Sequence, residues 1–449
     1  MVPRLPGTPQ TEHGNRQSEV MLMYVKIGNT DYTEIKNPSF APETSVVSDC
    51  VPVNQFGVDL MTDDVITAGE DAELYDDLNQ LWAKYWVTFA ERIDKFTVRV
   101  RAESKISILD RKTMPATMYS NEPVSNIMAG IFSDLGSSAY SLDASFSSAT
   151  ISGFMGHHSR RYRLQLICFT IGAYVKTFNT DKIEILPLDD TPTYVPKEKT
   201  FWKPSVTYKD WVTAISVKAF SYVQGTPERT DEYVTDDNGV TYIQTATEYT
   251  VTNTDAPVTA PPNIMEVADV QIINASNVSA ILTRLAAMYF GRTVADVDVI
   301  NNRDYEPGQR LYTYGVGKQL LLGYVESATF SFGLQARSRL HMTPIEVKEA
   351  VELKIKFTWN ETGPKLTVLT QTLLLPKSYQ YTISNPYIDL PWQKHRYILR
   401  PRDETTTVTL TTDTTIEIPC YAALDEYQNV LTVISVDEVT VSSGEAEIG

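Results

Sequence analysis

The chain has no long hydrophobic run. Its unbroken apolar stretches extend only a few residues, far below the roughly 20 a membrane helix needs, so membrane insertion is not expected. A secretory leader would show a basic n-region, an apolar core and a small-residue cleavage site, and none is visible. Cysteine is scarce. Cys50, Cys168 and Cys420 are odd in number, far apart and without C-x-x-C spacing, which argues against a disulfide scaffold or a zinc knuckle. Basic charge is also short: 39 Lys and Arg against 56 Asp and Glu leave a net charge of −17. Clustered cations are what a protein uses to displace counterions from phosphates, so sequence-specific nucleic-acid binding is not expected. The phosphate loop, the dinucleotide fingerprint and the G-x-S-x-G nucleophile elbow are all absent. "DEYVTDDNGVTY" lacks the order of a calcium loop. No spacing singles out a pair among the carboxylates. No catalytic, metal or cofactor-binding residue is assigned, and no cofactor is expected.

What is present is a folded chain of 449 residues, 42% hydrophobic and 21% charged. That length predicts about three or four domains. Residues 1–22 lack apolar periodicity and read as a disordered arm or a mis-called start. Residues 23–103 read as a first β-barrel. "YVKIGNTDYTEI" is strand, turn and strand, and 85–101 is a hairpin turning near 93–95. A short helix is expected within 69–84, around Leu74, Leu78 and Leu81. Residues 104–190 read as a small α/β domain with two helices. The first has Asn121 as cap, Gly136 at its end and an apolar stripe at Val124, Ile127, Met128, Ile131, Phe132 and Leu135. Residues 191–343 read as a second β-barrel, with an Asp237-Asn238-Gly239 hairpin turn and one packed helix over 277–290 capped by Ser276 or Asn277. Residues 344–449 read as a Thr-rich, sandwich-like β domain. The predicted class is therefore mainly β with an α+β insert.

One stretch looks like a site: "GHHSRRYRLQLICF", residues 156–169. His157 and His158 are adjacent and have no Cys, Asp or Glu within seven residues. Zinc needs three or four converging ligands, so a loop is the better reading; His13, His341 and His395 are isolated. Ser159 precedes the stripe Leu164, Ile167, Cys168 and Ile171, where an N-cap belongs, worth about 1 kcal/mol. Gly172 is expected to end this helix. Arg160, Arg161 and Arg163 stand at the positive end of the helix, where cations are disfavoured. They call for an anion. Because Arg is enriched at interfaces, these three are candidate interface residues. At least one is expected to meet a carboxylate of another domain or subunit.

In combination these segments resemble the baseplate hub proteins of tailed bacteriophages, the T-even and Mu-like hub family, especially the type of Gram-positive hosts. "SRRYRLQLICFTIGAYVKTFNTDKIEILPL" carries most of the likeness. "LWAKYWVTFAERI…FTVRVRAESKISILDR" and "NEPVSNIMAGIFSDLG" add to it. The resemblance covers about residues 23–340 and is strongest from 85 to 223. Relatives often have Glu three residues after the helix cap, where this chain has Tyr162.

The resemblance implies a non-enzymatic homotrimer in the virion tail, made in the host bacterial cytoplasm. Two barrels per subunit would form a ring of six. That ring would match a hexameric tail tube on one side and a trimeric distal spike or fibre on the other, with an acidic channel for passing DNA. Its partners would be the tube and distal baseplate proteins. The runner-up readings are a carbohydrate-binding adhesive protein and, behind it, a cell-wall hydrolase.

Overall fold

The computed structural model describes residues 23–359, except 196–198, 202–203, 318 and 333–336, and separate strand segments between 369 and 445. The expected arm, 1–22, lies outside the described residues, as do His13 and His395. Two bodies result: one of 20–313 with 322–346, the other of 314–321 with the segments beyond 347.

In the larger body, residues 23–103 form an antiparallel run. Strand Met23–Ile27 pairs with Thr30–Tyr32 and Asp71–Asp76, and Leu81–Asp94 pairs with Thr97–Glu103. Alternate residues of Met23–Ile27 and Thr97–Glu103 are buried, the period-2 pattern of strands with one face on a core. Trp82, Tyr85, Phe40 and Phe56 fill that core. The helix expected within 69–84 does not form; Asp71–Asp76 and Leu81–Asp94 are strands there. The reason is local. Asp76 accepts the backbone N–H groups of Leu78 and Gln80, and Asn79 takes a left-handed φ of 59°. The chain reverses within four residues, and Leu78 is left 59% exposed.

Residues 104–190 carry both predicted helices, α1 (Val124–Ile131) and α2 (Arg160–Ile171). The stripe of α1 is buried at Val124, Ile127, Met128, Ile131 and Phe132. Each such side chain contributes about 1.5–3 kcal/mol by leaving water. The predicted cap is corrected. Asn121 lies in the strand Thr117–Pro123, whose pairing with Thr150–Met155 runs on to Pro123. The first free helical N–H, that of Val124, is taken by the Ala149 carbonyl at 2.9 Å, so no side-chain cap is needed. Gly136, at φ 84°, closes the turn after the helix with its N–H on the Phe132 carbonyl.

Residues 204–343 divide between two sheets. Strands Tyr233–Thr235, Thr241–Thr252, Ala214–Gln224 and Ile264–Val267 form a four-stranded sheet. It packs against α3 (Val278–Tyr289) through Ile215, Val217, Ile281 and Leu285. Asn277 precedes α3 but its side chain does not cap it; it accepts the Asn274 N–H instead. The other strands, Ser205–Tyr208, Thr293–Ile300, Arg337–Trp359 and Gln319–Ser331, run directly into the first sheet. Phe330 pairs with Phe40, and Ser331 with Ser39. Phe330 also stacks on Phe40 and meets Trp82 edge-on. The two β units therefore share one hydrogen-bonded sheet.

In the smaller body the backbone is again strand. Residues 350–357 of Arg337–Trp359 pair antiparallel with Leu369–Pro376. Tyr379–Ser384 lies between Thr405–Leu410 and Val441–Glu445.

Candidate functional site

Ser159 takes an extended backbone and accepts the Tyr162 N–H at 3.2 Å. Its hydroxyl also donates to Asp110 at 3.1 Å. Gly172 ends α2 in the left-handed conformation, φ 79°. Leu164, Ile167 and Cys168 enter the core shared with α1, whereas Phe169 enters the core around α3. One helix thus joins two cores.

The three arginines divide into two kinds. Arg160 forms an ion pair with Asp134 at 2.9 Å, and Arg161 with Asp110 at 2.8 Å. Lys112 shares Asp134, and its hydrogen bond leads in holding that carboxyl below the usual range. Both acids lie within 104–190, on the same segment as the arginines themselves. Arg163 is fully buried and meets no carboxylate among the described residues. Its guanidinium donates to the Tyr119 hydroxyl at 3.0 Å, to the Gly156 carbonyl at 2.9 Å, and to the carbonyls of Pro115, Met114 and Met155. Burial pushes its pKa down from the ordinary value. A lone buried cation is costly unless its donors are met, and here one planar fork gathers three loop segments around the start of α2.

The far end of α2 carries a cation of the favoured kind. Arg284 of α3 donates to the Phe169 carbonyl, in the last turn, where helix dipole and free carbonyls welcome positive charge. Burial lowers its pKa to about 10. A β-carbon on Gly172 would lie 2.7 Å from an Arg284 Nη, a second reason for glycine there.

The histidines part company. His157 meets Asp237, of the predicted hairpin turn, at 2.7 Å. The Asp237 N–H bonds the Ala116 carbonyl at 3.1 Å. His158 packs edge-on against Tyr162, and burial lowers its pKa. His341 pairs with Asp296 across neighbouring strands at 2.7 Å. Among the described residues no three His, Cys, Asp or Glu side chains are placed to hold a metal, and no helix is long and apolar enough to cross a membrane.

Most donors and acceptors at this helix entry engage one another, while the buried Nε atoms of Arg160 and Arg163 find no hydrogen-bond partner among the described residues. The arrangement positions segments. Sequence reasoning missed Asp110, Asp134 and Tyr119; an acid just past α1 is the one signal that pointed to Asp134, since C-terminal ends disfavour anions.

No family model matches the sequence, and no curated protein is significantly similar to it. The fold is that of solved tail proteins. The crystal structure of the tail protein from Neisseria meningitidis MC58 matches with a TM-score of 0.50 at 10% identity, over 72% of this chain and 97% of its own. The 43 kDa tail protein of prophage MuSo2 from Shewanella oneidensis matches with a TM-score of 0.49 at 8% identity, over 72% and 98%. The c3393 protein of the E. coli type VI secretion system, described as similar to T4 tail proteins gp27 and gp5, matches at 0.42 and 10% identity, over 87% and 94%. At these identities the likeness is one of fold.

Proposed function

We propose that this chain is a structural component of a phage tail or phage-tail-like particle, and within it the baseplate hub. The observation that carries this reading is a fold shared with a tail protein over almost the whole of that protein. The hub assignment adds what the residues supply. Two β units flank an α/β unit, and the net charge of −17 suits a channel that DNA must pass without sticking. On this reading the protein is a homotrimer. Its six β units face a hexameric tube and its distal side faces a trimeric spike or fibre. Residues 344–449 dock a neighbouring baseplate protein. The domains are 23–103, 104–190, 191–343 and 344–449, the role is non-enzymatic, the Gram-positive-host type of hub is retained, and of the candidate interface residues Arg160, Arg161 and Arg163 it is Arg161 that reaches the first unit, at the Val51 carbonyl.

Mass photometry at micromolar concentration tests it. A trimer, or a ring formed with the cognate tube protein, is the expected result. A strict monomer that forms no ring with tube protein overturns the hub assignment.

A further inference from the structure

A cleft of about 650 Å³ opens where the strand pair Thr117–Pro123 and Thr150–Met155 faces the strands Ala214–Gln224 and Thr241–Thr252. Its size is that of a ligand site. Its chemistry is unusual for this chain. Charged residues make up 21% of the sequence, so sixteen lining positions would carry about three of them. The lining has none; tyrosine, serine, threonine, asparagine and glutamine supply its polar groups.

Part of that lining is held rigid. Tyr222 donates its hydroxyl to the Gln271 carbonyl at 2.8 Å. Ser152 bonds the Asn121 side chain at 3.0 Å, and Asn274 donates to the Ser152 carbonyl at 3.2 Å. Tyr119 is fixed by Arg163. Gly153 makes the wall possible: at φ 129°, a β-carbon there would sit 2.7 Å from the Gln271 carbonyl oxygen. The other part is unengaged. Ser221, Gln224, Tyr242, Thr247 and Tyr249 make no side-chain hydrogen bond with any described residue.

From this we infer that the cleft is a binding site for a neutral oligosaccharide. Uncharged lining excludes phosphates and carboxylates, which need fixed cations. Free hydroxyl and amide groups meet the many donors and acceptors of sugar rings, and the exposed Tyr249 ring offers a flat apolar face with a polar tip. The preformed wall limits the ordering cost of binding. A Tyr- and Ser-rich surface also suits protein contacts, so a second copy of the chain is the competing occupant.

The test titrates the full chain with a panel of neutral hexose, N-acetylhexosamine and deoxyhexose oligomers, read by calorimetry and saturation-transfer NMR. A sulfated heparin hexasaccharide serves as the charged comparison. Saturable binding of a neutral oligomer is expected, with none of the heparin fragment. Tyr249→Ala or Gln224→Ala should weaken it about tenfold, of the order that one lost aromatic contact supplies, while Tyr208→Ala, outside the cleft, leaves it unchanged. Hydroxyl-radical footprinting of the unmodified chain supplies a readout independent of variant folding: sugar should protect Tyr249. Failure of every neutral oligomer to bind, equal binding by the variants, preference for heparin, or protection of Tyr249 by self-association without sugar overturns the inference. The trimer reading is untouched by the first three results, and a monomer with a working cleft removes that reading alone.

Discussion

The two β units of the larger body resemble each other in strand content and differ in what holds them. The turns of residues 23–103 are closed by chain neighbours, Asp76 in one and Asp94, which accepts the Phe96 N–H, in the next, while Thr44, Ser48 and Asn54 bond out to Val175, Ala173 and Thr177. Residues 204–343 are organised from outside. α3 is anchored through Arg284 to the end of α2, the turn at 236–239 reaches Ala116 and His157, and Glu306 receives Lys176 and Asn179. The difference shows that similar strand patterns can be stabilised by local turns in one place and by distant side chains in another. Contacts of the second kind close long loops, at an entropic cost that only tertiary structure offsets.

That comparison can be broken at defined points. The largest effect is expected at Trp82, fully buried at the seam with Phe40 and Phe330 and bonded through its indole N–H to Asp76. Trp82→Ala should cost about 3–5 kcal/mol in denaturant unfolding and loosen both units. A loss under 1 kcal/mol would show that the seam is not a shared core. Gly153→Ala follows, because the added carbon meets backbone at 2.7 and 2.8 Å and the φ of 129° is one that side chains avoid. A cost of about 3 kcal/mol is expected, with hydrogen exchange rising at residues 271–273 before it rises in 23–103. Simultaneous loosening of both would contradict the outside-in account.

Arg163→Met keeps the bulk and removes the donors, stranding the carbonyls of Pro115 and Gly156. About 2–3 kcal/mol is expected, read as a lower denaturation midpoint at unchanged slope. Arg160→Met and Arg161→Met, at partly exposed ion pairs, should each stay within about 1 kcal/mol. The smallest effect belongs to the first unit. The Arg99 guanidinium, bonded to Asp59 at 2.9 Å, holds that carboxyl below its ordinary 3.8. A depressed folded-state pKa adds stability above the unfolded value and loses it as pH falls through the folded one. Asp59→Asn should therefore flatten the fall in melting temperature below about pH 4, and an unchanged acid limb would remove Asp59 as its source.

Much of this was legible in the residues. The stripes of α1 and α2, the Ser159 cap, the Gly172 end and the hairpin turn at 236–239 follow from periodicity and turn chemistry, which act over a few residues. Leu74, Leu78 and Leu81 misled because a helical spacing can arise by chance in a strand–turn–strand segment. The acidic turn of Asp76 decided the matter through two hydrogen bonds. The cap at Asn121 failed because a strand pairing 30 residues away satisfied the helix first.

The site divides the same way. Three cations at the positive end of a helix announce an electrostatic demand, and the need for anionic partners could be read from the sequence. Which partners answered could not. Asp110 and Asp134 reach Arg161 and Arg160 only because α1 and the 105–111 turn fold beside α2, and Arg163 is met by the Tyr119 hydroxyl and backbone carbonyls. Backbone preference and apolar period are local properties, and from them came the mainly β class, α1, α2 and α3, and both ends of α2. The tertiary structure decided the shared sheet at Phe40 and Phe330, the buried fork of Arg163 and the uncharged cleft beside Thr241–Thr252. Each of these joins groups far apart in the chain, and no local rule links them.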